Sequence, residues 1–237
     1  MKLRRGRSMS RVKAERVVEE FLSDIERGRY TVGQSMPSEA ELAEHYGVSR
    51  LTVREAVKYL AARGVLDVAH GRRNQLAPAE TWSILDPDIA ITRGKLTGDS
   101  LAWTLKLMEA RTIVEVGAVA LAARRISDND LKQMNDLLAV MDSQDVEAVV
   151  AADMAFHRLI FDAAANEYIT ATYDSLEAIL RSIRRKTSSS AAVRQEAQHW
   201  HRAIYQALAT HDEKAARDAM ESHMLQTAEG IKKTLTN

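Results

Sequence analysis

The sequence predicts a mainly α protein: an N-terminal winged helix-turn-helix followed by an all-α antiparallel helical bundle. Three observations carry that expectation. Residues 37–57 read as two short helices around a glycine turn, and a short β-capable hairpin with a basic tip follows at 65–77. From residue 99 onward almost every segment is rich in Ala, Leu, Glu and Arg, with apolar residues at helical spacing and cap-like residues between segments.

Residues 8 to about 27 carry Val17, Val18, Phe21, Leu22 and Ile25 on one helix face, with Gly28 as the stop. Tyr30–Gln34 is a turn leading to Met36-Pro37. Ser38, with Glu41 three residues on, forms a capping box. Ala43 is small where two helices cross, and Gly47 is free to take φ > 0. Ser49 is the N-cap of the second helix, where Leu51, Val53, Val57 and Leu60 fall near helical spacing. That helix begins Arg50-Leu51-Thr52-Val53-Arg54, and a recognition helix reads base edges with its N-terminal residues. An ordinary helical hairpin is the alternative, and the length of the matching run argues against it. Val65–Ala69 and Gln75–Ala77 flank His70-Gly71-Arg72-Arg73-Asn74, a wing whose two arginines suit phosphate or minor-groove contact better than a plain surface turn.

Residues 78–98 contain Pro78, Pro87 and Gly94 among Trp82, Ile84, Leu85 and Ile89, which predicts a docked linker rather than a flexible tether. Helices are expected near 100–125, 128–142, 145–165, 167–187, 191–210 and 212–234, with Ser127, Asp145 and Asp212 among the caps. The chain is thus divided into residues 8–77, a linker at 78–98, and a helical domain at 99–234.

Composition bounds the function. At 237 residues with 46% hydrophobic content the chain fills two modest cores, and with no cysteine it has neither disulfides nor thiolate metal sites. The basic start, Met1–Arg7, is followed by no long apolar run, and no segment approaches the roughly 20 apolar residues of a membrane span. No signal peptide and no membrane partner are expected, and the expected location is the cytoplasm. Net charge is zero, but residues 1–77 carry 15 Lys and Arg against 10 Asp and Glu, while the remainder carries 18 against 23. A cationic head on an acidic body fits a DNA-binding module.

The bundle is informative where its apolar stripes are interrupted. Val146, Val149, Val150, Asp153, His157, Ile160 and Phe161 share one face, so Asp153 and His157 sit four apart and point inward. His201 shares a stripe with Ala197, Ile204, Tyr205 and Leu208, and His223 one with Ala216, Met220, Thr227 and Ile231. Three imidazoles and a carboxylate from facing helices form a plausible divalent-metal set, and hydrogen-bonded core histidines are the alternative. Arg111 lies in a stripe with Leu101, Leu105 and Met108 before it and Glu115 and Ala118 after. It suits either a ligand carboxylate or an i, i+4 salt bridge to Glu115. His199 faces away from His201 and is expected in solvent. Arg181, Arg184 and Arg185 read as an exposed or interfacial charged face. No Gly-rich phosphate loop and no nucleophile–base pair is present.

The head resembles the DNA-binding domain of the GntR family of bacterial transcription regulators. The matching pieces are Gly28-Arg29-Tyr30-Thr31-Val32-Gly33, Met36-Pro37-Ser38-Glu39, Glu41-Leu42-Ala43, Gly47-Val48-Ser49-Arg50, Thr52-Val53-Arg54-Glu55-Ala56 and Leu60-Ala61-Ala62-Arg63-Gly64. The resemblance implies operator contacts from Arg50 and Arg54 and phosphate contact near Thr52. With Ser38 and the wing residues His70, Gly71, Arg72 and Arg73 these form the candidate DNA-binding set. Ala40 replaces an arginine common in the family, and the wing lacks the usual glycine-x-glycine, so the operator sequence is not carried over. Residues 100–232 are similar to the FCD effector-binding domain of the FadR-like branch. That resemblance implies a divalent ion on Asp153, His157, His201 and His223 (zinc first, with nickel, manganese or iron also compatible). It further implies a small carboxylate effector at Arg111, a homodimer, an inverted-repeat operator on double-stranded DNA and, most often, repression. The connector Trp82-x-x-Leu85-Asp86-x-Asp88-Ile89 is similar to that of sugar-acid regulators. The chain is not expected to be an enzyme; the opposing reading is a metal-dependent hydrolase domain fused to a DNA-binding module, and a third is a structural DNA protein with no effector.

Overall fold

The computed structural model describes residues 3–68, 73–98 and 100–235. The chain divides into two compact units, Met1–Ser100 and Leu101–Asn237.

In the first unit, α1 (Leu3–Glu26) is followed by α2 (Glu39–His45) and α3 (Arg50–Ala62). The start of α2 is fixed twice: Ser38 Oγ accepts from the Glu41 amide at 3.3 Å, and the Ser38 amide donates to Glu41 Oε2 at 2.7 Å. Ser49 Oγ accepts from the Thr52 amide at 3.2 Å and starts α3. Each such cap contributes about 1 kcal/mol. Between the two helices Gly47 has φ +62°, the turn conformation its lack of Cβ permits. Phe21, Ile25, Leu42, Val53 and Leu60 bury the apolar faces of all three helices against one another. After α3, β1 (Leu66–Asp67) pairs antiparallel with β2 (Gln75–Leu76), Leu66 opposite Leu76. The expected wing tip at His70, Gly71 and Arg72 lies outside the described residues.

The connector packs onto this head. Trp82 is buried, and its indole N–H donates to the Ala77 carbonyl at 3.0 Å. Asp86 caps α4 (Pro87–Leu96) and also accepts from the Tyr59 hydroxyl and from Arg63 Nε, which ties α4 to α3. Burial, and then the hydrogen bond to Asp86, pushes the Tyr59 hydroxyl up to about 12. Thr92 and Lys95 reach Glu26 at 2.9 and 2.7 Å, which ties α4 to α1.

The second unit takes in α5 (Ser100–Ala123) from its second residue onward, then α6 (Asp128–Met141), α7 (Val146–Ala163), α8 (Glu167–Thr187), α9 (Ala191–Ala209) and α10 (Glu213–Leu235). The predicted segments agree with these to within two residues at each end. Ser127, Asp145, Asn166 and Ser190 are N-caps whose side chains accept backbone amides. Short loops make sequential helices antiparallel neighbours. α6 packs on α7, and α9 packs on both α10 and α6. Met134, Phe156, Ile160, Phe161, Ile179 and Leu180 are fully buried between the helices. Among the described residues no helix is long and apolar enough to cross a membrane.

Candidate metal centre and DNA interface

On α7 the helical repeat puts Asp153 and His157 one turn apart on the buried face; α9 supplies His201 and α10 supplies His223. One ligand atom from each of these four residues lies within 4.8 Å of the others. Two atoms each about 2.1 Å from a shared ion stand about 4.2 Å apart when opposite, so a tightening of about half an ångström brings the set to bonding distance. Asp153 Oδ1 lies 3.0 Å from His201 Nε2 and 3.8 Å from His157 Nε2. Burial, with the neighbouring positive groups adding to it, holds His201 and His223 well below the ordinary histidine range. Both rings are therefore neutral at pH 7, the form that ligates metals.

Around these four stands a further layer. Glu115 on α5 places Oε2 2.5 Å from His157 Nδ1, and its Oε1 accepts from Arg111 Nε at 2.6 Å. Burial alone would raise the Glu115 carboxyl; the charges of Arg111, His157 and Arg184 overcome it and hold the group well below the usual carboxylate range. A carboxylate at Nδ1 keeps the ring proton there and leaves the Nε2 lone pair for an ion. Of the two roles expected for Arg111, the salt bridge to Glu115 is therefore present.

Arg184 corrects the sequence reading. It is not on a charged outer face: only 6% of its surface is exposed, and Nε ion-pairs with Asp153 Oδ2. Arg181 and Arg185 are exposed as expected and pair with Glu177 and Glu147. The missed signal is the register: Arg184 falls in line with Tyr173, Leu176, Leu180 and Thr187, the buried stripe of α8. Gln226 on α10 was missed as well; it is 9% exposed and lines the same region.

Several buried polar atoms here make no hydrogen bond: His157 Nε2, both nitrogens of His201, His223 Nδ1, Arg184 Nη2 and Gln226 Oε1. Each orphan costs about 1–3 kcal/mol, a cost that an ion or ligand removes. Arg111, Asp153, Arg184, His223 and Gln226 line a cavity of about 40 Å³, several times the roughly 10–15 Å³ that one water needs. The three-nitrogen, one-oxygen donor set fits a divalent transition metal. His199 is exposed, and Asp212 caps α10 by accepting from the Ala215 amide at 2.9 Å.

In the head, Arg50 and Arg54 are exposed at the start of α3. Arg54 is held by Glu39 of α2, donating from Nη2 at 2.9 Å and from Nε at 3.1 Å. Arg73 is exposed, 3.7 Å from Glu41. Ser38 is spent on its cap, and Thr52 is buried with its hydroxyl 2.9 Å from Ser49 Oγ. Neither the Thr52 hydroxyl nor its amide is therefore free, since both are engaged by Ser49 Oγ.

Residues 106–226 match the FCD domain model, and residues 13–74 match the model of bacterial regulatory proteins of the gntR family. The chain belongs to the GntR family. Its similarity extends over whole regulators. It is 28% identical to the galactonate operon transcriptional repressor of Escherichia coli K12 over 87% of this chain and 91% of that protein. It is 30% identical to the HTH-type transcriptional regulator LutR of Bacillus subtilis over 84% of this chain and 92% of that protein. Lar, a Listeria monocytogenes protein controlling the agr system, has the same fold, with a TM-score of 0.64 at 21% identity over 93% of this chain and 96% of Lar. This GntR protein is thus a DNA-binding transcription regulator, and the hydrolase reading falls away: its relatives are named as regulators, and Glu115, the one buried carboxylate besides Asp153 among the described residues of the bundle, is already engaged by Arg111 and His157.

Proposed function

We propose that this GntR regulator is a metal-dependent, homodimeric repressor released from an inverted-repeat operator by a small hydroxylated carboxylate. The observation that carries the reading is the buried convergence of Asp153, His157, His201 and His223, with unpartnered nitrogens facing one another. A divalent ion would be held by these four residues and would act there as a Lewis acid toward an anionic oxygen. The charge balance supports an anionic effector. Arg111 and Arg184 are matched by Glu115 and Asp153, so a bound divalent ion leaves the buried site two charges positive. Arg111 presents its guanidinium at the cavity, where a carboxylate suits its fork. The name of the galactonate operon repressor points to sugar acids as the class to test first.

On the DNA side, Arg50 and Arg54 would read base edges and Arg73 would contact phosphate, one head per half-site. A ligand that binds one arrangement of the heads better than the other shifts operator occupancy, and no other coupling is needed. The test uses full-length protein stripped of metal and duplexes it selects from a random pool. One Zn²⁺ or Ni²⁺ per chain, two chains per selected inverted repeat, and weaker duplex binding when D-galactonate is added to the metal-loaded protein are expected. A chain that takes up no divalent ion overturns the metal reading; operator binding indifferent to every hydroxy acid tried overturns the effector reading.

A further inference from the structure

We infer that Arg184 and Gln226 choose the ligand of the bundle cavity, Arg184 binding an anionic oxygen and Gln226 accepting from a hydroxyl beside it. The inference deepens the effector reading above and rests on it.

Arg184 divides its guanidinium between two tasks. Its Nε takes Oδ2 of Asp153, while Oδ1 of the same carboxylate faces His201 and His157. The inner oxygen is thereby turned toward the histidines, so Arg184 positions a metal ligand. Nη1 donates to the Met154 sulfur at 3.0 Å, a weak acceptor. Nη2 is buried, without a hydrogen-bond partner, and the side chain lines the cavity. A buried guanidinium N–H with no acceptor is a standing demand for an anionic oxygen.

Gln226 makes the opposite demand. Its amide nitrogen donates to the Val193 carbonyl at 3.4 Å, which sets the amide so that Oε1 is the free end. That oxygen is buried with no donor, and Gln226 lines the same cavity. A ligand carrying only carboxylate oxygens leaves Gln226 Oε1 desolvated and unpaired. An ammonium group could donate to it, but Arg111, Arg184 and Arg194 around the cavity repel a cation. A neutral hydroxyl meets the demand without that penalty. One unpaired acceptor and one unpaired cationic donor on a common cavity therefore specify a hydroxy carboxylate.

The test is calorimetric titration of full-length, Zn²⁺-loaded protein with acids paired by the presence of a hydroxyl: glycolate and acetate, lactate and propionate, D-gluconate and hexanoate, with L-alanine as the ammonium analogue. In the best-bound pair the hydroxy acid is expected to bind at least about tenfold more tightly than its deoxy partner, and alanine no better than propionate. Gln226→Leu removes the preference and leaves the deoxy acid's affinity unchanged. Arg184→Met weakens both members of the pair at least about tenfold and weakens Zn²⁺ alone. Should that variant fail to fold, Arg184→Lys keeps the charge but not the fork, and is expected to weaken both acids several-fold. Equal binding of the two acids by the wild type overturns the role of Gln226, and unchanged acid affinity in a folded Arg184 variant overturns that of Arg184. Titration with Zn²⁺ alone separates these failures from failure of the metal reading itself.

Discussion

Glu115 Oε2 lies 2.5 Å from His157 Nδ1, while Glu115 Oε1 takes the Arg111 guanidinium at 2.6 Å. A single buried carboxylate on α5 thus joins the arginine facing the cavity to a histidine of the candidate metal set. Glu115→Gln keeps the shape and removes the charge that fixes the His157 proton. Metal affinity is expected to fall about 10–100-fold, as for other partners behind metal-binding histidines. Arg111 also loses its counter-charge in a buried place, a loss of about 3–5 kcal/mol in stability. Competition titration against a chelating dye reads the first effect and thermal melting the second. Metal affinity unchanged in Glu115→Gln would mean that another group orients His157.

Removing the metal gives a second expectation. An ion that binds the folded bundle at a hundred times its Kd stabilises it by about 2.7 kcal/mol. For a unit of this size that raises the melting temperature by roughly 5–10 °C. EDTA is expected to reverse the shift, and His201→Ala to abolish it. If the histidines are only hydrogen-bonded core residues, neither Zn²⁺ nor EDTA moves the melting curve.

Helix ends and the burial of Asp153, His157, His201 and His223 were legible because both are local signals. Ser38 with Glu41 and Ser127 with Asp130 make their caps within one turn, and Asp153 and His157 declare themselves by interrupting an apolar stripe. What was not legible depends on contacts between helices. Glu115 could be placed on a face with Arg111, but its approach to His157 joins residues 42 apart on different helices. Arg184 was hidden by its neighbours: Arg181 and Arg185 are exposed, and three arginines in five residues look like one solvated face. Only the register with Tyr173, Leu176 and Leu180 separates it from them. The inward turn of Thr52 escaped notice because a hydroxyl at the start of a recognition helix satisfies the same pattern whether it faces DNA or caps with Ser49.

Gly64 leaves no room for a side chain. It has φ +72°, and a Cβ there would stand 2.2 Å from the Thr81 carbonyl oxygen. The same turn receives the Thr81 hydroxyl on the Gly64 carbonyl at 2.9 Å, so the connector cannot simply move away. Gly64→Ala combines backbone strain with a backbone clash and is expected to cost about 2 kcal/mol or more. The loss should appear as a lower melting temperature and weaker DNA binding, with Zn²⁺ affinity of the bundle unchanged. Wild-type DNA affinity and melting in Gly64→Ala would show that the turn at 63–65 relaxes freely.

Arg54 and Glu39 form a closed ion pair between α3 and α2, with two donors of the guanidinium on one carboxylate. Arg54→Ala removes a base-reading fork, so specific operator binding should fall by about 1–3 kcal/mol, roughly tenfold or more, while His201→Ala leaves it nearly intact. Equal loss from both variants would contradict the division between head and bundle. Glu39→Gln tests what the pair does before DNA arrives. An exposed pair of this kind is worth at most about 1 kcal/mol, and its carboxylate repels the phosphates that the head approaches. Freeing Arg54 is therefore expected to tighten nonspecific duplex binding about two- to fivefold and to reduce discrimination between operator and random sequence. If Glu39→Gln instead weakens operator binding, Glu39 is holding the Arg54 fork in its reading position, and the carboxylate acts as a support for recognition rather than a brake on it.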